Sequence, residues 1–213
     1  MKNSRNPYLQ AKKIKTINDD EAKLFSNLIQ LEAYKTKKAS LNESLQFERN
    51  EQVNALKIPK ISVNDALRFN HWAQVYALKT LNIDIEDAML FDNYYQVAAI
   101  KQAHLSLIDA LRFSSEWQVA ALMTGKTTIA QALLCTSYTT LTAMQIDSIL
   151  PDDALLFQQH SQLEAYKTKN ISVSDAIKFK YPEQVKALQS GVFDLSGSLE
   201  FSDKCLSPNI NLE

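Results

Sequence analysis

Glycine, proline and cysteine are scarce in this chain of 213 residues, which contains three glycines, five prolines and two cysteines. A β-sandwich or β-barrel needs many turn residues, so their scarcity favours short helices that are capped by their own side chains. Cys135 and Cys205 lie in no paired or metal-ligand spacing, so the sequence predicts no disulfide framework and no metal site. We therefore expect an all-α protein in a reducing compartment.

The chain also lacks a strong net charge and a long apolar run. Its formal net charge is −1, whereas a domain that neutralises phosphates is usually strongly basic, so nucleic acid is not the expected partner. No apolar run approaches the ~20 residues of a membrane span. The basic start, MKNSRNPYLQAKKIK, has no apolar core and does not fit a secretory signal peptide.

What the chain does contain is a repeat of 22 residues. The octapeptide QLEAYKTK occurs at residues 30–37 and again at 162–169, and the 132 residues between the two starts are six times 22. A glutamine recurs at this period, with Thr140 in one position: Gln30, Gln52, Gln74, Gln96, Gln118, Gln162 and Gln184. A phenylalanine five residues earlier follows the same period, with Cys135 in one position: Phe25, Phe47, Phe69, Phe91, Phe113, Phe157, Phe179 and Phe201.

The repeat predicts an all-α fold, an α-solenoid of eight 22-residue two-helix repeats plus terminal half repeats. Short helices are marginal alone, so each repeat must bury its apolar columns against its neighbours. The predicted single domain covers residues 1–204, with a half unit at 1–16, full repeats from about 17 to 192 and a capping half unit at 193–204. Residues 205–213 are predicted to form a disordered tail.

Each repeat carries signals for two helices of about eight residues. In residues 61–82 the apolar positions follow helical spacing, and Ser62 three residues before Asp65 predicts a capping box at the first helix. The repeated glutamine is predicted to be the third residue of the second helix, bonded back to its own cap. Left-handed helix ends are expected at Gly125 and Gly191, and at Asn82 and Asn170 one column later.

No catalytic or cofactor pattern is present, so we expect no enzyme activity, cofactor or bound metal. The three histidines occupy different repeat columns, and Cys135 replaces a core phenylalanine. The segment TGKTT at 124–128 resembles part of a phosphate-binding loop, but Ala120 stands where that loop needs a glycine.

Candidate binding residues lie where the repeats differ, on the outer face of the second helices. Large aromatic residues concentrate in the middle repeats, and exposed aromatic side chains are good anchors for a protein partner. Alternatively, these rings pack across the groove between repeats and stiffen the stack. The candidate partner-binding residues are Trp72, Tyr76, Tyr94 and Tyr138 on this face, together with Tyr95 and Trp117 in the adjacent column.

A row of lysines follows the same helices near their C-terminal ends. A cation there complements the helix dipole, and such a row beside aromatic residues can also follow a nucleic-acid backbone. The dipole interpretation is preferred because Met123 and Gln145 interrupt the row. The row consists of Lys35, Lys57, Lys79, Lys101 and Lys167.

The repeats SVNDALRFNHWAQVYALK and SVSDAIKFKYPEQVKAL resemble short α-helical repeats in effector proteins of intracellular bacteria such as Legionella and Coxiella. The resemblance implies a translocated protein that binds a host or bacterial protein. We therefore expect a non-enzymatic protein–protein interaction scaffold, either cytoplasmic or delivered into a host cell without a signal peptide. A nucleic-acid-binding repeat protein that uses the lysine row is one alternative, and a regulator that inhibits an enzyme by direct binding is another. The partner and the oligomeric state are left open.

Overall fold

The computed structural model describes residues 6–169 and 171–201, and within these ranges all regular structure is helical and no β-strand occurs. The described residues fall into two compact units that divide between Leu111 and Arg112. The first unit contains ten helices in its described part: α1 (Pro7–Ala11), α2 (Asp19–Leu24), α3 (Leu28–Lys35), α4 (Leu41–Ser44), α5 (Asn50–Leu56), α6 (Val63–Arg68), α7 (Trp72–Thr80), α8 (Ile85–Ala88), α9 (Tyr94–Ala103) and α10 (Leu107–Ala110).

The second unit contains eight helices in its described part. They are α11 (Glu116–Met123), α12 (Ile129–Leu133), α13 (Tyr138–Gln145), α14 (Pro151–Ala154), α15 (His160–Lys169), α16 (Val173–Ala176), α17 (Pro182–Ser190) and α18 (Leu195–Glu200).

From α2 onward, a helix of four to six residues alternates with one of seven to ten residues. We call the shorter, even-numbered helices A helices and the longer, odd-numbered ones B helices. The A helices are shorter than the predicted eight residues because their last turn tightens. In the second repeat, for example, the amide of Phe47 donates to the carbonyl of Ser44, three residues back, at 3.2 Å. This tight turn ends the helix and leaves Phe47 fully buried.

The A helices begin at the predicted caps, although the capping box is complete in only some of them. At Ser40 the hydroxyl accepts from the amide of Glu43, and the Glu43 carboxylate accepts from the amide of Ser40 at 2.8 Å. At Ser62 the reciprocal bond is missing, and the hydroxyl instead donates to the Asp65 carboxylate at 2.6 Å. Aspartate is one methylene shorter than glutamate, so its carboxylate meets the cap hydroxyl rather than the cap amide.

Several helix ends adopt left-handed backbone, as the sequence predicted for three of them. The φ angles are 70° at Gly125, 73° at Gly191 and 52° at Asn82, which confirms these predictions. Asn170, for which the same was predicted, lies outside the described residues. Three further residues with positive φ in the same turn were not predicted: Lys37, Lys60 and His104.

The core of each unit is built from the repeated columns. In the first unit, Phe47 and Phe69 pack with Val53, Leu56 and Val75 in one buried cluster. In the second unit, Phe179 packs with Val185 and Leu188 from the following helix. Burying one such side chain contributes about 2 kcal/mol, so the recurring apolar columns supply most of the folding free energy.

The repeated glutamine is the third residue of each B helix that carries it, and its side chain bonds in two directions. In α9 the Gln96 Oε1 accepts from the amides of Asp92 at 2.9 Å and Asn93 at 3.4 Å, which confirms the predicted capping role. Its Nε2 donates to the carbonyl of Leu111, fifteen residues later, at 2.9 Å. The bond from Nε2 recurs at Gln30, Gln52, Gln74, Gln118, Gln162 and Gln184, with acceptor carbonyls on Leu45, Leu67, Met89, Leu133, Ile177 and Leu199. The two amide bonds to Oε1 recur at all of these except Gln30, whose Oε1 accepts from the amide and the hydroxyl of Ser26.

The repeat with Thr140 replaces this arrangement by a shorter one. The Thr140 hydroxyl donates to the carbonyl of Phe157 at 2.9 Å, two residues beyond the carbonyl that a glutamine would reach. Cys135 in the same repeat is fully buried in the phenylalanine column, and burial raises the pKa of its thiol. This side chain therefore packs as a small core residue.

Candidate partner-binding surface

Helices α7 and α9 carry the most concentrated group of exposed aromatic side chains among the predicted residues. Trp72 is the first residue of α7, and Tyr76 lies one turn later on the same face. Tyr94 is the first residue of α9, which packs against α7. Both helices begin immediately after their cap residues, His71 and Asn93. The repeat register therefore places Trp72 and Tyr94 at the N-terminal ends of two neighbouring helices, with Tyr76 one turn after Trp72.

The rings contact one another directly. Trp72 and Tyr94 are stacked, with ring centroids 6.4 Å apart and an angle of 20° between the ring planes. Tyr76 lies 5.7 Å from Tyr94 and 6.3 Å from Trp72, and Tyr95 meets Tyr94 edge-on at 5.9 Å. We call these four residues the aromatic cluster. Aromatic pairs at such distances gain about 0.5–1.5 kcal/mol beyond their burial, so the cluster is held in place before any partner binds.

The members of the aromatic cluster differ in exposure. Trp72 is 48% exposed and Tyr94 is 40% exposed, whereas Tyr76 is half-buried and packs against the core cluster of Ala73, Ala77, Phe91 and Val97. The rings of α7 and α9 thus pack across the groove between repeats, as the alternative interpretation predicts, and two of them are also exposed. Tyr76 anchors the cluster to the core, and the stacked Trp72 and Tyr94 leave a large apolar area in contact with water.

The remaining two candidates lie in the second unit. Trp117 in α11 and Tyr138 in α13 form an edge-to-face pair with centroids 5.8 Å apart. Tyr138 is 62% exposed and Trp117 is half-buried. This pair is a second, smaller aromatic surface.

The lysines of the predicted row are all exposed, but they differ in their ion pairs. The Lys35 ammonium bonds to the Glu32 carboxylate at 2.8 Å, and Lys167 bonds to Glu164 at 3.3 Å. In the part of the chain that the structure describes, the other three have no ion pair: Lys57, Lys79 and Lys101. Each of these three lies in or directly after the last turn of its B helix, where its charge complements the helix dipole.

No protein-family model, curated protein or solved structure matches the chain.

The described residues contain no group of three His, Cys, Asp or Glu side chains that could hold a metal ion. No described helix is long and apolar enough to cross a membrane.

One exposed apolar column was missed by the sequence reasoning. It lies at or just after the C-terminal ends of the A helices, one residue before the buried phenylalanine column. The sequence carries a signal for this exposure, because leucine shares the column with the polar residues Gln, Arg and Lys. Its exposed leucines are Leu24, Leu90, Leu134 and Leu156.

Proposed function

We propose that this chain is an α-solenoid of eight 22-residue two-helix repeats with terminal half repeats, and that it acts as a non-enzymatic protein–protein interaction scaffold. The observation that carries the proposal is the exposed stack of Trp72 and Tyr94. Large amphipathic rings that are already ordered lose little conformational entropy on binding, which is why Trp and Tyr dominate the energetic centres of protein interfaces.

The bonds between successive repeats support the solenoid part of the proposal. Within each unit, the repeated glutamine ties one B helix to the end of the next A helix. Contacts of this kind, made only between neighbours, are typical of a stacked repeat array. The sequence keeps its 22-residue register without insertion from Gln30 to Gln184, which favours one continuous array.

The resemblance to effector repeats of intracellular bacteria extends the proposal to the partner and the compartment. The partner would be a host or bacterial protein, and the scaffold would act in the bacterial cytoplasm or inside a host cell after delivery without a signal peptide. Inhibition of an enzyme by direct binding is a narrower form of the same function and uses the same surface.

A pull-down from nuclease-treated eukaryotic lysate tests the proposal. The intact protein is compared with the triple variant Trp72→Ala, Tyr76→Ala, Tyr94→Ala, after circular dichroism has shown that both are equally helical. We expect a protein that is captured by the intact chain and lost with the triple variant, because the variant removes the pre-ordered apolar area.

A matched control removes exposed apolar side chains elsewhere. The control variant is Ile108→Ala, Tyr181→Ala, Val192→Ala, three residues that are 79%, 53% and 79% exposed, and it should capture the partner as the intact chain does. If the aromatic triple variant captures the partner as well as the intact chain does, the binding site lies outside the aromatic rings of α7 and α9. Capture of no protein, together with salt-sensitive binding to RNA or DNA, would replace the scaffold function by the nucleic-acid alternative.

A further inference from the structure

Charge is segregated between the two kinds of helix around the aromatic cluster. Residues 61–104 contain five carboxylates, and four of them lie on or cap the A helices α6 and α8: Asp65, Asp84, Glu86 and Asp87. The B helices α7 and α9 contain no acidic residue and one lysine each. The fifth carboxylate, Asp92, precedes α9 and accepts from the Asn93 side chain at 2.7 Å.

Among the described residues, Lys79 and Lys101 therefore form no ion pair with a carboxylate, and they lie on the helices that carry the exposed aromatic rings. Lys79 lies seven residues after Trp72, and Lys101 lies seven residues after Tyr94. At 1.5 Å per residue, each lysine sits about 10 Å along its helix from the ring. Since α7 and α9 are neighbours, the two ammonium groups and the ring stack form one surface with an apolar end and a basic end.

From this arrangement we infer that the surface formed by the aromatic cluster with Lys79 and Lys101 binds an acidic segment of a partner protein. The inference rests on the proposed scaffold function and names the chemistry of its ligand. A large apolar side chain of the segment packs on the Trp72–Tyr94 stack, and carboxylates of the same segment pair with the two lysines. An extended peptide advances about 3.3 Å per residue, so the carboxylates stand about three residues from the apolar anchor.

A nucleic acid fits this surface less well than an acidic peptide. Stacking on bases requires free ring faces, whereas Trp72 and Tyr94 each turn one face to the other. Arginine is the residue that forms bidentate hydrogen bonds with phosphates. Arg68, however, donates to the Glu86 carboxylate at 2.7 and 2.8 Å, and Arg49 donates to the carbonyl of Asn70. Two lysines neutralise few phosphates, whereas binding to a nucleic-acid backbone draws most of its affinity from many such contacts.

Selection from a phage-displayed library of random short peptides on the full-length protein tests the inference. Peptides that also bind the variant Trp72→Ala, Tyr94→Ala are removed by counter-selection. We expect the selected peptides to share one large apolar residue with two or more Asp or Glu about three residues away. Oligothymidylate is tested on the same protein as the nucleic-acid probe.

Two charge variants with equal loss of net charge identify the role of the lysines. The selected peptides should bind Lys79→Gln, Lys101→Gln about five- to tenfold more weakly, as expected for two exposed charge pairs. They should bind Lys13→Gln, Lys15→Gln as they bind the intact protein, because these exposed lysines lie outside the surface.

The possible outcomes separate this inference from the proposed function. Neutral or basic peptides that still require Trp72 and Tyr94 would overturn the acidic ligand and leave the scaffold function standing. No enrichment over the counter-selected variant would overturn both the ligand and the use of this surface. Binding of oligothymidylate that weakens in Lys79→Gln, Lys101→Gln, with no selected peptide, would overturn the inference in favour of a nucleic acid.

Discussion

Gln96 illustrates how one residue both starts a helix and joins two repeats. Its Oε1 satisfies amides at the start of α9, which would otherwise have no partner inside the helix. Its Nε2 satisfies the carbonyl of Leu111 after the next A helix. The side chain is only 3% exposed, so water cannot replace either bond.

Gln96→Ala should lower the free energy of unfolding by about 2–3 kcal/mol, because it leaves buried amide and carbonyl groups without partners. Urea unfolding followed by circular dichroism measures the change. Gln102→Ala removes an exposed glutamine from the same helix and should change the free energy by less than about 0.5 kcal/mol. Equal effects of the two substitutions would show that the hydrogen bonds of the Gln96 side chain contribute nothing to the free energy of unfolding.

Thr140 marks the one repeat in which this glutamine is missing. Thr140→Gln should restore the bonds to the cap amides and to the next A helix, and it should raise the free energy of unfolding by about 1 kcal/mol, as consensus substitutions often do. Thr142→Gln on the same helix is the control and should have little effect. A lower unfolding midpoint for Thr140→Gln would mean that the shorter bond from Thr140 to Phe157 belongs to a repacked interface that cannot hold the longer side chain.

At the scale of the single element, the helices of this protein are short and depend on their ends. An A helix of four residues has no amide or carbonyl that is far from a terminus, so its caps decide whether it forms. The Glu43 carboxylate accepts from the hydroxyl and the amide of Ser40, and these bonds hold the pKa of Glu43 below its ordinary value of 4.5. The Lys178 ammonium and the Ser172 hydroxyl likewise lower the pKa of Asp175.

These shifts predict that acid destabilises the protein. A carboxylate whose pKa is lower in the folded state contributes stability above its unfolded pKa, and that stability is lost as the pH falls through the folded pKa. The urea midpoint should therefore fall between neutral pH and about pH 3. A midpoint that rises on acidification would contradict the prediction.

Ser40→Ala distinguishes the contribution of one helix cap to stability from the overall destabilisation of the protein at low pH. At neutral pH it should lower the free energy of unfolding by about 1 kcal/mol, the usual cost of losing an N-cap, and it should weaken the pH dependence because Glu43 loses its hydroxyl donor. Thr136→Ala, at an exposed residue outside the helices, is the matched control. It should alter neither the free energy of unfolding nor its pH dependence.

At the scale of the whole molecule, the proposed repeat array needs a capping unit at its ends, where no neighbouring repeat covers the apolar columns. In the second unit, Leu195 and Leu199 of α18 pack against the core formed by Phe179, Val185 and Leu188. The Leu199 carbonyl also accepts from the Gln184 side chain. The final half repeat thus covers the last full repeat in the way that capping repeats do.

A chain that ends at Gly191 should melt at a lower temperature and be less soluble, because it exposes Val185 and Leu188 and leaves Gln184 without its acceptor. The loss should be on the order of 3 kcal/mol. A chain that ends at Lys204 keeps the capping half unit and removes only the predicted disordered tail, so its melting temperature should equal that of the full chain. An unchanged melting temperature for the shorter chain would show that α18 is not a cap.

Prediction from sequence succeeded best for features that are local and repeated. The helical class, the cap at Ser62 and the left-handed ends at Gly125 and Gly191 all follow from residue types at fixed offsets. The length of the A helices was wrong because the tight turn before each phenylalanine depends on burial of that ring. The left-handed backbone at Lys37 was missed because lysine has no intrinsic preference for it.

The features of the candidate surface also fall into those that the sequence predicts and those that depend on tertiary packing. The 22-residue period, the buried columns and the residues free to vary are properties of the chain that can be read along it, because a helix repeats its face at fixed spacing. The stacking of Trp72 on Tyr94 and the bond from the repeated glutamine to a carbonyl fifteen residues later both join groups that lie on different helices or at their ends. Such contacts depend on how neighbouring helices are packed, and packing becomes definite only when the chain is folded.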